Sequence, residues 1–196
     1  MKDEKAKLWK KSWGKIGWGY EYCVDVANKV SKMIEAGADV NISNENNMTA
    51  LMLASGFGYV DAVQALINAK ADVNAQNIDG RTALIRAVAC NRKPVVEKLL
   101  ENGAFVNARD LSGSTALMYA AENSCITGNE EIFKLLLDHD ADIFAENDFG
   151  ANVWYSTLPG SAARRLLKEA CIASKLPRKV VKHTDTDQNK GNSKTR

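Results

Sequence analysis

Thr49-Ala50-Leu51-Met52 returns as Thr82-Ala83-Leu84-Ile85 and again as Thr115-Ala116-Leu117-Met118, at an interval of 33 residues each time. A second, unlike marker keeps the same step. Ala38-Asp39-Val40-Asn41, Ala71-Asp72-Val73-Asn74, Ala104-Phe105-Val106-Asn107 and Ala141-Asp142-Ile143-Phe144 follow one another by 33, 33 and 37 residues. Two independent markers on one period define a chain of tandem units.

Each unit reads as two helices. The threonine suits an N-cap, where its hydroxyl accepts from an otherwise unpaired backbone N–H. Alanines at 50 and 54, or 83 and 87, leave a narrow ridge on which a neighbouring helix can sit closely. A second helix follows with apolar residues three or four apart: Val60, Val63, Leu66 and Ile67, or Val96, Leu99 and Leu100. Pro94 falls near the start of such a helix, where its missing N–H does no harm. Gly37 and Gly103 fit the left-handed residue that ends one. Asp79-Gly80 and Ser112-Gly113 supply turn chemistry before the next threonine.

These residues resemble the ankyrin repeat, whose 33-residue period and T-P-L-H-x-A signature they approach. The resemblance covers about residues 14–171 and implies an all-α fold: a solenoid of stacked antiparallel helix pairs joined by hairpin-like loops. Alanine stands where the family has proline, at 50, 83 and 116. Met52, Ile85 and Met118 stand where it has the histidine that tightens the turn, so weaker local pinning is expected. The units are set at 14–46, 47–79, 80–112, 113–149 and 150–173. They lie between a basic Trp/Lys-rich extension (1–13) and a basic tail (174–196) expected to be disordered beyond about residue 176.

The outer units should act as caps. The first helix of unit one, from Trp18 through Tyr22, is bulky where the others carry alanine. Its second helix carries Val26, Val30, Met33 and Ile34. In the last unit Asn152 takes the threonine position, and Arg164, Arg165 and Lys168 give the polar face a terminal unit needs. Unit four holds four extra residues within Glu122–Glu131, expected to lengthen the connection between its helices. Such a connection either lies inert on the surface or contributes to specificity.

Charge is unevenly distributed. Residues 1–15 hold six lysines against Asp3 and Glu4, a net of +4. Residues 174–196 hold seven basic residues against Asp185 and Asp187, a net of +5. Within a formal total of +2, that leaves −7 for residues 16–173. No run approaches the roughly 18 apolar residues of a spanning helix, and no apolar segment follows the charged start, so a cytoplasmic, intracellular protein without a secretion signal is expected. The four cysteines, at 23, 90, 125 and 171, form no close pair and read as reduced thiols rather than a metal site.

Catalytic patterns are missing. The chain has no phosphate loop, nucleophile elbow or H-E-x-x-H pair. Gly14, Gly17 and Gly19 are not preceded by an apolar strand, His139 fits a helix C-terminus and His183 lies in the tail. No enzyme, no cofactor and no metal are therefore expected.

Binding is the expected role. By the resemblance, partner contacts concentrate at loop tips and on the outward, concave side of each first helix. In unit two those positions are Ser43, Glu45, Asn46, Met48 and Phe57, and in unit three Gln76, Ile78, Asp79, Arg81 and Ala89. Unit four contributes Arg109, Leu111, Ser112, Ser114, Glu122 and Asn123. The last unit contributes Glu146, Asp148, Phe149 and Ala151. Ile78, Leu111 and Phe149 carry most weight, being apolar where water is expected; the alternative is that each folds back on its neighbouring hairpin. Arg81 and Arg109 are hot-spot residue types. The expected partner is another protein, met by a monomer. The second possibility is a tether to nucleic acid or an anionic membrane through the basic ends, with Trp9 and Trp13 on one helix face; the favoured role for those tryptophans is packing on unit one. Asn74 and Asn107 follow Leu66 and Leu99 by eight residues, the spacing of asparagines hydroxylated in animal ankyrin repeats. The simpler role is an asparagine bonding its own turn.

Overall fold

The computed structural model describes residues 23–127 and 130–173. The tryptophan-rich extension, the first helix of unit one and the basic tail lie outside the described residues. Among those described, the chain forms helices and no extended strand, with single β-bridges only, as at Ser43–Thr49 and Arg109–Thr115. The elements are α1 (Cys23–Glu35), α2 (Ala50–Phe57), α3 (Val60–Asn68), α4 (Ala83–Ala89), α5 (Lys93–Glu101), α6 (Ala116–Thr127), α7 (Glu131–Asp138), α8 (Val153–Ser156) and α9 (Ala162–Ala173). None is long and apolar enough to cross a membrane.

The main packing is between neighbouring units. α2, α4, α6 and α8 stack in one layer, and α1, α3, α5, α7 and α9 in a second. The small residues explain the first layer. Ala50, Ala83 and Ala116, with Ala54, Ala87 and Ala120, are all buried and let successive helices approach closely. Leu66, Leu99 and Leu136 occupy equivalent buried positions in the second layer, with Phe133 among the largest fully buried side chains.

Local signals are obeyed with two exceptions. Thr49 and Thr82 accept from Met52 N (3.3 Å) and Ile85 N (3.2 Å), as expected of N-caps. Thr115 does not: its hydroxyl is buried without a partner, and Met118 N turns instead to the Thr115 carbonyl at 3.2 Å. The second exception is the insertion. Left-handed Gly58 (φ 84°) and Asn91 (φ 55°) follow α2 and α4. The equivalent position in unit four is Ser124, which is buried and donates its hydroxyl to Ala121 O at 3.0 Å. With no residue there that favours a left-handed turn, α6 continues to Thr127, 12 residues against 8 and 7. The extra residues thus extend a helix before they extend a loop.

The asparagines of the second marker also behave differently from the own-turn expectation. Asn41, Asn74 and Asn107 accept from the next unit, at Asp72 N (2.7 Å), Phe105 N (2.8 Å) and Asp142 N (2.8 Å). Asn74 and Asn107 also donate forward, to Gly103 O (3.0 Å) and Asp140 O (3.2 Å). They are staples between units. Arg164 likewise departs from its expected solvent-facing role: it lies over the Trp154 ring at 4.9 Å and donates to the Trp154 carbonyl and to Thr157 Oγ1.

Candidate partner-binding face

Every loop tip is built on one device. The side-chain Oδ1 of Asn44, Asn77, Asp110 and Asn147 accepts from the backbone N–H two and four residues ahead. All eight bonds lie between 2.8 and 3.1 Å. A short amide or carboxylate thereby replaces the backbone partners a tight turn cannot supply. The sequence signal was available, since these residues recur at 33, 33 and 37, but local turn chemistry alone does not reveal it.

The tips are joined to one another. Ile78 N donates to Asn46 O (3.1 Å), Leu111 N to Asp79 O (2.9 Å) and Asp148 N to Ser112 O (2.9 Å). This ladder leaves no room at Gly80 (φ 73°), where a Cβ would lie 2.8 Å from Leu111 N and 3.0 Å from the Asp110 carbonyl carbon. At Gly150 (φ 72°) a Cβ would meet nothing within 4 Å. Gly150→Ala should therefore cost only the left-handed strain of about 1–2 kcal/mol. Gly80→Ala should cost at least about 1 kcal/mol more, because backbone must separate. Urea denaturation of the two variants tests this, and equal losses would mean that the ladder yields freely.

The singled-out residues divide by environment. Ile78, Leu111 and Phe149 are 50%, 72% and 83% exposed, and Glu45, Asn46, Gln76, Asp79, Arg109, Glu122, Glu146 and Asp148 are also exposed. Ser43, Met48, Phe57, Arg81, Ala89, Ser112, Ser114, Asn123 and Ala151 are half-buried. Several are engaged within the stack. Gln76 donates to Gly80 O (2.7 Å) and Arg109 O (2.9 Å), while Arg109 donates to Glu146 O (2.6 Å) and lies 3.8 Å from Asp148. Asn123 donates to Val88 O at 2.7 Å, closing the end of α4, and Phe57 stacks on Tyr59 at 5.7 Å. Ser114 Oγ accepts from Asn147 Nδ2 at 3.3 Å. Met48 packs on the core edge.

A polar group links the tips to the first-helix layer. Tyr119 on α6 donates its hydroxyl to Asp110 Oδ2 (2.7 Å) and accepts from Arg81 Nη2 (3.0 Å). Arg81 lies over the Tyr119 ring at 5.4 Å and 3.8 Å from the Asp110 carboxylate, whose side chain is 2% exposed. Burial raises the Tyr119 phenol above its ordinary value, and the hydrogen bond to Asp110 raises it further. Asp110 is the acid where the other tips carry asparagine, and Arg81 and Tyr119 are the groups that meet it. Neither Asp110 nor Tyr119 was anticipated as part of this face.

Two arginines of unit three complete it. Arg86 Nε donates to Met52 O (3.1 Å) and Arg92 Nε to Gly56 O (3.2 Å), so unit three closes carbonyls of α2. Burial draws the Arg86 guanidinium below its usual pKa. The arrangement is a rigid strip of tips backed by polar clasps.

Residues 22–110 match ankyrin repeats described as three copies, and residues 91–137 match ankyrin repeats described as many copies. No curated protein matches the chain. Ankyrin repeats are generally modules of protein–protein interaction and generally non-enzymatic. With two stacked helical layers, a 33-residue period and family matches across residues 22–137, the chain belongs to the ankyrin repeat family.

Proposed function

We propose that this chain is a non-enzymatic scaffold that binds another protein along its loop tips and the outward side of its first helices. One observation carries this reading: Ile78, Leu111 and Phe149 are exposed apolar residues on three tips joined by backbone hydrogen bonds. Ile78 and Leu111 hold the same position in their units, and Phe149 sits one residue past it. Apolar groups held in water on a fixed frame favour burial against a partner. Ordering entropy has already been met by the fold. Engaged residues such as Arg81 and Arg109 then serve to hold the strip in shape, while the exposed acids Glu45, Asp79, Glu122 and Glu146 are free to meet a basic partner surface.

The test is the combined variant Ile78→Ser, Leu111→Ser and Phe149→Ser. Its circular dichroism should match the parent, since these side chains contribute little to the core. Partners captured by the parent and identified by mass spectrometry should bind the variant at least about tenfold more weakly in direct titration, a loss of about 1.4 kcal/mol. Equal affinity would remove this strip from the proposal.

A further inference from the structure

We propose that a groove between α7 and α9 is a second docking site, separate from the tips, which takes a lysine- and arginine-rich segment of a partner protein and seats one of its apolar side chains. The groove has a volume of about 600 Å³ and includes none of Ile78, Leu111 or Phe149. Its floor is apolar: Ile143 is buried, and Leu137, Phe144 and Leu166 are half-buried. Asp138, Asp140, Asp142 and Glu169 stand exposed around it against one cation, Lys134. None of the four carboxylates forms an ion pair among the described residues.

The inner units show how this end differs. Asn41, Asn74 and Asn107 bind the next unit's backbone, but Phe144 holds that position in unit four. An apolar ring replaces the polar staple, and its half-buried surface becomes floor. Asp140 is left-handed at φ 61° where Gly37, Lys70 and Gly103 stand in the other units. Charge there works against the helix. α1 and α5 carry Lys32 and Lys98 in their last turns, whereas α7 has no basic residue in its last turn and ends on Asp138, with Asp140 following. Negative side chains at the negative end of a helix dipole are unfavourable, and an incoming cation relieves both. The carboxylates do not converge on a metal ion, since no group of three acids, cysteines or histidines suited to one occurs among the described residues. Spread around an apolar floor, they match a ligand with several separated positive charges and one apolar group. A basic peptide segment has that form.

The probe is a fluorescent peptide of about ten residues, alternating arginine and lysine around one central leucine, titrated with the full chain. Replacing its leucine with serine should weaken binding about fivefold or more. The combined variant Asp138→Asn, Asp140→Asn and Asp142→Asn should weaken it about tenfold or more. Asparagine preserves the local fold, since it accepts both the left-handed conformation of Asp140 and the Phe144 N–H bond made by Asp142 (2.8 Å). Asp61→Asn, Glu97→Gln and Glu101→Gln together remove the same charge elsewhere in the second-helix layer, and that variant should bind as the parent does. Peptide binding should slow hydrogen exchange in 137–144 and 166–173. Equal affinity for the leucine and serine peptides would overturn the proposal. Equal weakening by the two charge variants would also overturn it, because the attraction would then be to an acidic body at large. So would carbodiimide cross-links from the groove acids to this chain's own lysines in 174–196 that saturating peptide leaves undiminished, because the occupant would then be the chain itself.

Discussion

Phe133→Ala should destabilise the protein by about 3–5 kcal/mol, the largest loss expected from a single side chain here. Phe133 is fully buried on α7, which packs against α5, α6 and α9. Its removal leaves a cavity that three helices would have to move together to close. For a domain whose total stability lies near 5–15 kcal/mol, that loss is a large fraction. Because units pack mainly on their neighbours, the damage should also be local. Hydrogen exchange should accelerate through 131–173 before it does through 50–100, and urea unfolding should lose its single sharp transition. A loss below about 1 kcal/mol would mean that this part of the stack is far looser than its burial indicates.

Asp110→Ala should cost about 2–4 kcal/mol. The carboxylate accepts from Ser112 N, Ser114 N and the Tyr119 hydroxyl. Each donor left without a partner away from water costs about 1–3 kcal/mol. Arg81 is partly solvated and recovers water, which holds the total down. Asp110→Asn should cost far less, since its Oδ1 still accepts both backbone bonds as Asn44, Asn77 and Asn147 do. Tyr119 provides the signature. Losing the Asp110 bond while keeping Arg81 should lower its titration, followed through phenolate absorbance. The raised phenol contributes stability that is complete below about pH 10 and disappears as pH climbs through the folded value. Equal destabilisation by alanine and asparagine would refute the turn-bonding role.

The fold was legible because its period repeats in two unlike markers and because alanine ridges, threonine caps and apolar second helices agree with one another. Tip positions were legible for the same reason, since a fixed register places Ile78 and Leu111 on equivalent turns. What local reading could not give was the use of each tip side chain. Gln76 reaches Arg109, Arg81 reaches Tyr119 and Asn123 reaches Val88, all across unit boundaries. Such partners lie 33 to 38 residues apart and follow from stacking, not from neighbouring sequence. The longer α6 was missed because it depends on what Ser124 fails to do: it offers no left-handed stop where Gly58 and Asn91 do.

The rungs between successive tips carry one more consequence. Side chains riding on them cannot slide independently, so the strip measures out distance like a ruler. A ligand whose own apolar groups are spaced out of step would be refused outright, with no local adjustment to admit it. Selectivity would then come from cadence before it came from chemistry.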